Sequence, residues 1–143
     1  MSTSRDPELI KRLLTTPATW AVVGLSANTK RTAYSIGRYL RDQLGMRIVP
    51  VNLRGEDALG ERGYLRLADV PGSVQVVDCF VNSQRVGAVV DEAIAEKDRL
   101  GIKAVWLQLG VIDEAAAERA RAAGLDVVMN TCPAMEAPDM DEN

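Results

Sequence analysis

The amino-acid sequence predicts a doubly wound α/β fold: a three-layer sandwich around a five-stranded parallel sheet, in the order 3-2-1-4-5. Three observations carry this expectation. Short apolar runs alternate with longer segments at helical spacing, which specifies parallel strands joined by right-handed crossovers. The runs are nearly continuous rather than alternating, as in strands covered on both faces. Gly24 closes the first run, where a strand must turn sharply into its helix. The chain has 143 residues, 47% apolar and 26% charged. That is enough for one core and hardly enough for two, so a single domain over 1–143 is expected.

The elements follow in order. Asp6-Pro7-Glu8 supply an N-cap, a proline at the first helical position and an early acid. A helix is therefore expected within 1–17, with Leu9, Ile10, Leu13 and Leu14 on its apolar face. Trp20 to Gly24 is the first strand. Ile36, Tyr39, Leu40 and Leu44 then recur at helical spacing up to Gly45. Arg47 to Asn52 is the second strand, and Pro50 removes one ladder bond from it. The stretch from Arg54 to Gly72 reads as loop, with one helical turn near Leu65 to Asp69. Val74 to Val81 is the third strand. Asn82 or Ser83 caps a long helix carrying Val86, Val89, Val90, Ala93 and Ile94. Ala104 to Leu109 is the fourth strand, and Asp113 or Glu114 opens an alanine-rich helix that ends at Gly124. Leu125 to Met129 is the fifth strand. The tail after Cys132, residues 133–143, carries two prolines and an acidic end and is expected to fray.

Composition excludes several functions. The chain has no histidine, which rules out a histidine-based triad, metal ligand or proton shuttle. Two cysteines, Cys79 and Cys132, make neither a disulfide framework nor a cysteine zinc site. A net charge of −3 argues against nucleic acid as a partner. No apolar run is long enough to span a membrane, and residues 1–12 lack a signal-peptide core, so the expected address is the cytoplasm. Whether the chain forms a homo-oligomer is left open.

In open α/β sheets, ligands bind outside the carboxyl ends of the strands. Here that edge comprises the loop Gly24, Leu25, Ser26, Ala27, Asn28, Thr29, Lys30 and Arg31, then Asn52, Leu53 and Arg54, then Phe80, Val81, Asn82 and Ser83, and finally Gly110. The Gly24–Arg31 loop suits a phosphate. It leads into a helix N-terminus with free N–H groups, and Lys30 and Arg31 add two cations. The nicotinamide fingerprint is incomplete. Gly24-Leu25-Ser26 has no second glycine, and the second strand ends in Asn52 instead of an acid. No Gly-Lys-Ser/Thr follows Gly24, so a P-loop is absent too.

The residues resemble a family of small, single-domain CoA-binding proteins, whose fold is similar to the CoA-binding domain of the succinyl-CoA synthetase α subunit. The segments that carry the resemblance include Val22-Val23-Gly24-Leu25-Ser26, Pro50-Val51-Asn52, Leu67-Ala68-Asp69-Val70-Pro71 and Trp106-Leu107-Gln108-Leu109-Gly110. They span the chain from about Trp20 to Cys132. The resemblance implies a Rossmann-like fold that holds coenzyme A, or an acyl-CoA, as a small-molecule ligand at the carboxyl edge. The Gly24–Arg31 loop would take the diphosphate. Asn52, Leu53 and Arg54 would lie near the adenosine, and Phe80, Val81 and Asn82 would line the site. The family often has Phe-Arg where this chain has Phe80-Val81, so Lys30, Arg31, Arg54 or Arg85 would have to replace that cation.

Three functions remain open on the sequence. They are a non-catalytic CoA-binding module, an enzyme acting on CoA thioesters, and an NAD(P)-dependent oxidoreductase or other nucleotide-binding enzyme. No nucleophile–base pair is visible, so no catalytic residue is assigned, and no metal is expected. Asp78, inside an apolar strand, is expected to hydrogen-bond the backbone of a neighbouring loop, with a catalytic acid as the alternative. Cys79 is expected to pack as a small apolar residue. Trp106 and Gln108 share one side of their strand, with Trp106 in the core and Gln108 able to reach toward Gly110.

Overall fold

The computed structural model describes residues 4–140. Five parallel strands form one sheet: β1 (Thr19–Val23), β2 (Arg47–Val51), β3 (Val76–Cys79), β4 (Ala104–Leu107) and β5 (Asp126–Val128). Helices α1 (Pro7–Thr15), α2 (Thr32–Asp42), α3 (Ser83–Ala95), α4 (Lys97–Leu100), α5 (Glu114–Ala122) and α6 (Pro133–Met140) cover it. A single 3-10 turn, Leu67–Asp69, lies in the loop after β2. Among the described residues no helix is long and apolar enough to cross a membrane.

The local signals for the helix starts hold. Asp6 caps α1 by accepting from the Glu8 amide, Asn82 caps α3 through Arg85, and Asp113 caps α5 through Ala116. Each cap satisfies an amide that the helix itself leaves unpaired.

Side chains leave each strand alternately to the two faces, and each face has its own core. Trp20, Val22, Val76, Ala104, Trp106 and Val128 pack against Leu9, Ile36, Leu40 and Ala137, from α1, α2 and α6. Ala21, Val77, Cys79, Val105, Leu107 and Val127 pack against Val86, Val90, Ala116 and Ala120, from α3 and α5. This two-sided burial explains the continuous apolar runs.

The strand order is β2-β1-β3-β4-β5 and not 3-2-1-4-5. β3 pairs with β1 through Trp20↔Val76 and Val22↔Asp78, and it does not lie outside β2. The physical reason is in β2. Pro50 has no N–H to give a second neighbour, and Arg47 is exposed, so β2 suits an edge. All four residues of β3 are buried, which suits the centre. The free edge of β2 is paired by the following loop, where Tyr64 N donates to Pro50 O at 3.0 Å and Asn52 N donates to Tyr64 O at 3.0 Å. The chain therefore reverses its winding between β1 and β3, and the crevice opens there.

Other expectations need correction. β3 and β4 are shorter than the apolar runs that predict them. The tail does not fray over its first part: Pro133–Met140 is helical, and Ala137 is buried in the core. Pro133 occupies the first helical position, where its missing N–H costs nothing. The end of the tail, 141–143, lies outside the described residues.

Candidate functional site

A cavity of about 890 Å³ opens at the carboxyl ends of β1, β2 and β3. Its size suits a nucleotide-sized ligand. Of the loop residues singled out by sequence, Gly24, Ser26, Asn28 and Arg31 line it. So do Asn52, Leu53 and Arg54 from the end of β2, and Phe80, Val81 and Asn82 from the end of β3. Ala27, Thr29 and Lys30 are exposed and outside the lining, as is Gly110, although the Ala27 amide reaches it through its bond to the Glu56 carboxylate, which does line the cavity.

The loop is shaped from within. Asn28 N donates to Ser26 Oγ at 3.3 Å, and Lys30 N donates to Asn28 Oδ1 at 3.0 Å. These two polar side chains thus hold the turn that delivers the chain to α2. Arg31, at the N-cap of α2, makes no capping bond with its side chain. The start of α2 therefore keeps the positive end of its dipole facing the loop.

Gly24 is at φ +105°, and a Cβ there would lie 2.4 Å from the Phe80 carbonyl oxygen. The glycine is required because two strand ends meet, before any ligand is considered. Sequence reasoning attributes it to the sharp turn that ends the strand; the structure adds the close approach of the Phe80 backbone.

Asn52 is buried, with all its polar capacity in use. Its Nδ2 donates to Leu25 O at 2.9 Å and to Glu56 O at 2.8 Å. Its Oδ1 accepts from Arg54 N at 3.1 Å and from Glu56 N at 2.9 Å. Two donors and two lone pairs are thereby satisfied. Asn52 fastens the Gly24 loop to the turn after β2, so it shapes the wall with bonds to protein. Asn82 likewise uses its side-chain oxygen on the α3 cap.

Three guanidinium groups surround the opening: Arg31, Arg54 and Arg85. None takes part in an ion pair among the described residues, whereas Arg41, Arg99, Arg119 and Arg121 are all paired. Sequence reasoning names Arg85 only as a substitute cation; α3 brings it in because it lies in the first turn after the Asn82 cap. Glu56, Leu65 and Glu92 also line the cavity and were not singled out. Leu65 returns to the site from the loop after β2, and Glu92 stands two turns along α3. No spacing rule in the sequence points to either.

Asp78 and Gln108 lie on the opposite face, away from this lining. Both are buried, and Gln108 Nε2 donates to Asp78 Oδ1. The expected bond to a loop backbone is thus replaced by a side-chain pair, and Gln108 turns inward instead of reaching toward Gly110. Asp78 Oδ2 has no partner among the described residues. Burial pushes the Asp78 carboxyl up to about 8, against a smaller downward pull from Gln108. Burial, reinforced by Asp78, pushes the Cys79 thiol up as well, and Cys79 packs in the core as expected. Trp106 is buried, its ring tilted 46° to that of Trp20 with centroids 5.5 Å apart, and it donates to Thr131 O at 2.8 Å. Cys132 is half-buried beside a second, smaller hollow of about 370 Å³ between α1 and α6.

Comparison with known proteins gives consistent results. A family model described as a CoA binding domain matches residues 18–138. The chain is 31% identical over 123 residues to the uncharacterized protein YneT of Bacillus subtilis (strain 168), across 86% of this chain and 87% of that one. It is 28% identical over 85 residues to the alpha subunit of an ADP-forming acetate–CoA ligase II of Pyrococcus furiosus, across 59% of this chain and 18% of that one. Among solved structures, a hypothetical protein from Pyrococcus horikoshii OT3 superposes with a TM-score of 0.84 at 33% identity, covering 93% of this chain and 90% of that one.

Proposed function

The chain belongs to the CoA binding domain family, and from that premise we propose that it holds coenzyme A, or an acyl-CoA, in the cavity at the carboxyl ends of β1, β2 and β3. The observation that carries the reading is the gathering of three unpaired arginines and the α2 N-terminus around one crevice at the switch point of the sheet. Phosphate groups need such charge-assisted donors. The residues present fit this ligand. The Ser26–Arg31 turn and Arg31 would take the diphosphate. Arg54 and Arg85 are within the same opening and would take the 3′-phosphate that distinguishes CoA from ADP. Leu53 and Leu65 are 76% and 56% exposed at the mouth, and they offer apolar surface to an adenine ring or the pantetheine arm. Bound CoA would bring a thiol or thioester to this edge; the chain's own side chains bind and orient it. The reading is of a binding module, a carrier or a sensor.

The test is calorimetric titration of the purified protein with CoA, 3′-dephospho-CoA, NAD and ATP, repeated on Arg31→Ala. CoA should bind in preference to the others. Losing one charge-assisted bond should weaken it about ten- to a hundredfold. Equal binding of CoA and dephospho-CoA by the wild type would remove the 3′-phosphate assignment. Preference for NAD or ATP would overturn the reading as a whole.

A further inference from the structure

The phosphate loop is not vacant of negative charge. Ala27 N, a backbone donor within the loop, donates to Glu56 Oε1 at 3.1 Å. Glu56 comes from the turn after β2, 29 positions away in sequence, and it lines the same cavity. Its position is held firmly. Asn52 takes both its backbone N–H and its carbonyl. On the other side Gly63 packs so closely that a Cβ there would lie 1.9 Å from Glu56 O. A carboxylate is thus presented to the loop by a pinned backbone, and the bond crosses between two loops that Asn52 also ties together.

We propose that the Glu56 carboxylate is a built-in anion on the phosphate loop, which an incoming phosphate must displace, so that Glu56 sets the affinity of this site for phosphorylated ligands. The inference rests on the reading of the cavity as a CoA site and adds its regulation. One backbone N–H has one proton to give, so carboxylate and phosphate oxygens compete for it. Two anions left side by side at the mouth also repel, by an amount that the dielectric of the opening determines. The side chain can leave without disturbing the pinned backbone, because its carboxylate hangs on rotatable bonds beyond Cβ. In the free protein the carboxylate satisfies an amide that would otherwise face solvent, and it keeps the loop in shape.

Glu56→Gln removes the charge and keeps an oxygen for the Ala27 amide, so the fold should be preserved. CoA should then bind about five- to tenfold more tightly, by the repulsion relieved in a largely aqueous opening. Glu56→Ala serves as the second variant, because it removes both charge and acceptor and should also tighten binding if its thermal unfolding matches the wild type. The advantage of Glu56→Gln should shrink as salt is raised, since the charges are near solvent. If the wild type binds CoA and both folded variants bind it no better, the displacement is wrong and the CoA reading stands. If neither wild type nor variants bind CoA, both fall together.

Discussion

Replacing Asp78 with asparagine isolates one titration in the core. Asp78 is fully buried, one carboxyl oxygen has no partner, and burial holds its pKa at about 8 against an ordinary 3.8. Between those two values the unfolded chain has released this proton and the folded chain has kept it. The folded state then binds more protons than the unfolded one, so stability must fall as pH rises. The stabilisation is fully present below the unfolded value, is lost progressively on the way to about 8, and is constant above. The slope for one group is about 1.4 kcal/mol per pH unit. From pH 5 to pH 7 that amounts to roughly 3 kcal/mol, a sizeable part of the 5–15 kcal/mol that holds a typical domain together. For a chain of this length it corresponds to about 8–10 °C in Tm. Asp78→Asn keeps the shape and the acceptor for Gln108 but has nothing to titrate. Thermal unfolding of both proteins, followed by circular dichroism from pH 4.5 to 9, gives the difference in Tm at each pH. The wild type should lose about 4 °C per unit relative to the variant up to pH 8, and nothing further beyond. Parallel curves across the whole range would refute the reasoning, because they would mean that the folded carboxyl ionises as easily as the unfolded one.

The remaining predictions concern the loops. Gly24→Val should fail in folding before it fails in binding, because its Cβ meets the Phe80 carbonyl at 2.4 Å; a variant with wild-type Tm would contradict the close approach of β1 and β3. Asn52→Ala should lower stability by about 2–3 kcal/mol in urea unfolding, since four hydrogen bonds go and a buried amide is lost. The same variant should weaken CoA by separating the two loops, and unchanged affinity at reduced stability would place the ligand elsewhere.

Where the sequence was legible, the determinants are local. Asp6, Asn82 and Asp113 each cap a helix within three residues of themselves, so the helix starts can be read from the chain alone. Two-sided burial makes apolar runs at Trp20, Val76 and Ala104, and these too need no tertiary knowledge. The order of the strands does need it. A crossover from β2 can place the next strand on either side of the pair β1–β2, with equal local chemistry. Pro50 contained the answer, because a strand that lacks a ladder donor belongs at an edge, but only if the proline is weighed against all five strands at once. The tail shows the same limit. Pro138 argues against a helix there, while the burial of Ala137 against α1 and α2 decides in favour of one.

The site divides along the same line. Gly24, Asn52 and Phe80 follow directly from strand ends, and the sheet fixes where strand ends are. Arg85 and Glu92 arrive in the first turn and more than two turns along α3, at places that depend on how that helix lies over β3. Glu56 and Leu65 arrive through the least periodic stretch of the chain, and contacts made by Asn52, Tyr64 and Gly63 help bring them back to the edge of the sheet. These late arrivals include both carboxylates of the cavity, so a reading from sequence sees the cations and overlooks what balances them. The consequence is physical. A crevice lined by Arg31, Arg54 and Arg85 alone would hold any phosphate tightly and would carry a large local positive field when empty. With Glu56 on the loop amide and Glu92 on the Ala68 amide at 3.2 Å, two of the three positive charges in the lining are balanced and each carboxylate has a donor. Under the proposal made above, binding would then be an exchange of one anion for another at Ala27. Affinity in such a site depends on both kinds of charge: the arginines supply most of the attraction for a phosphate, and the acid it displaces trims that attraction.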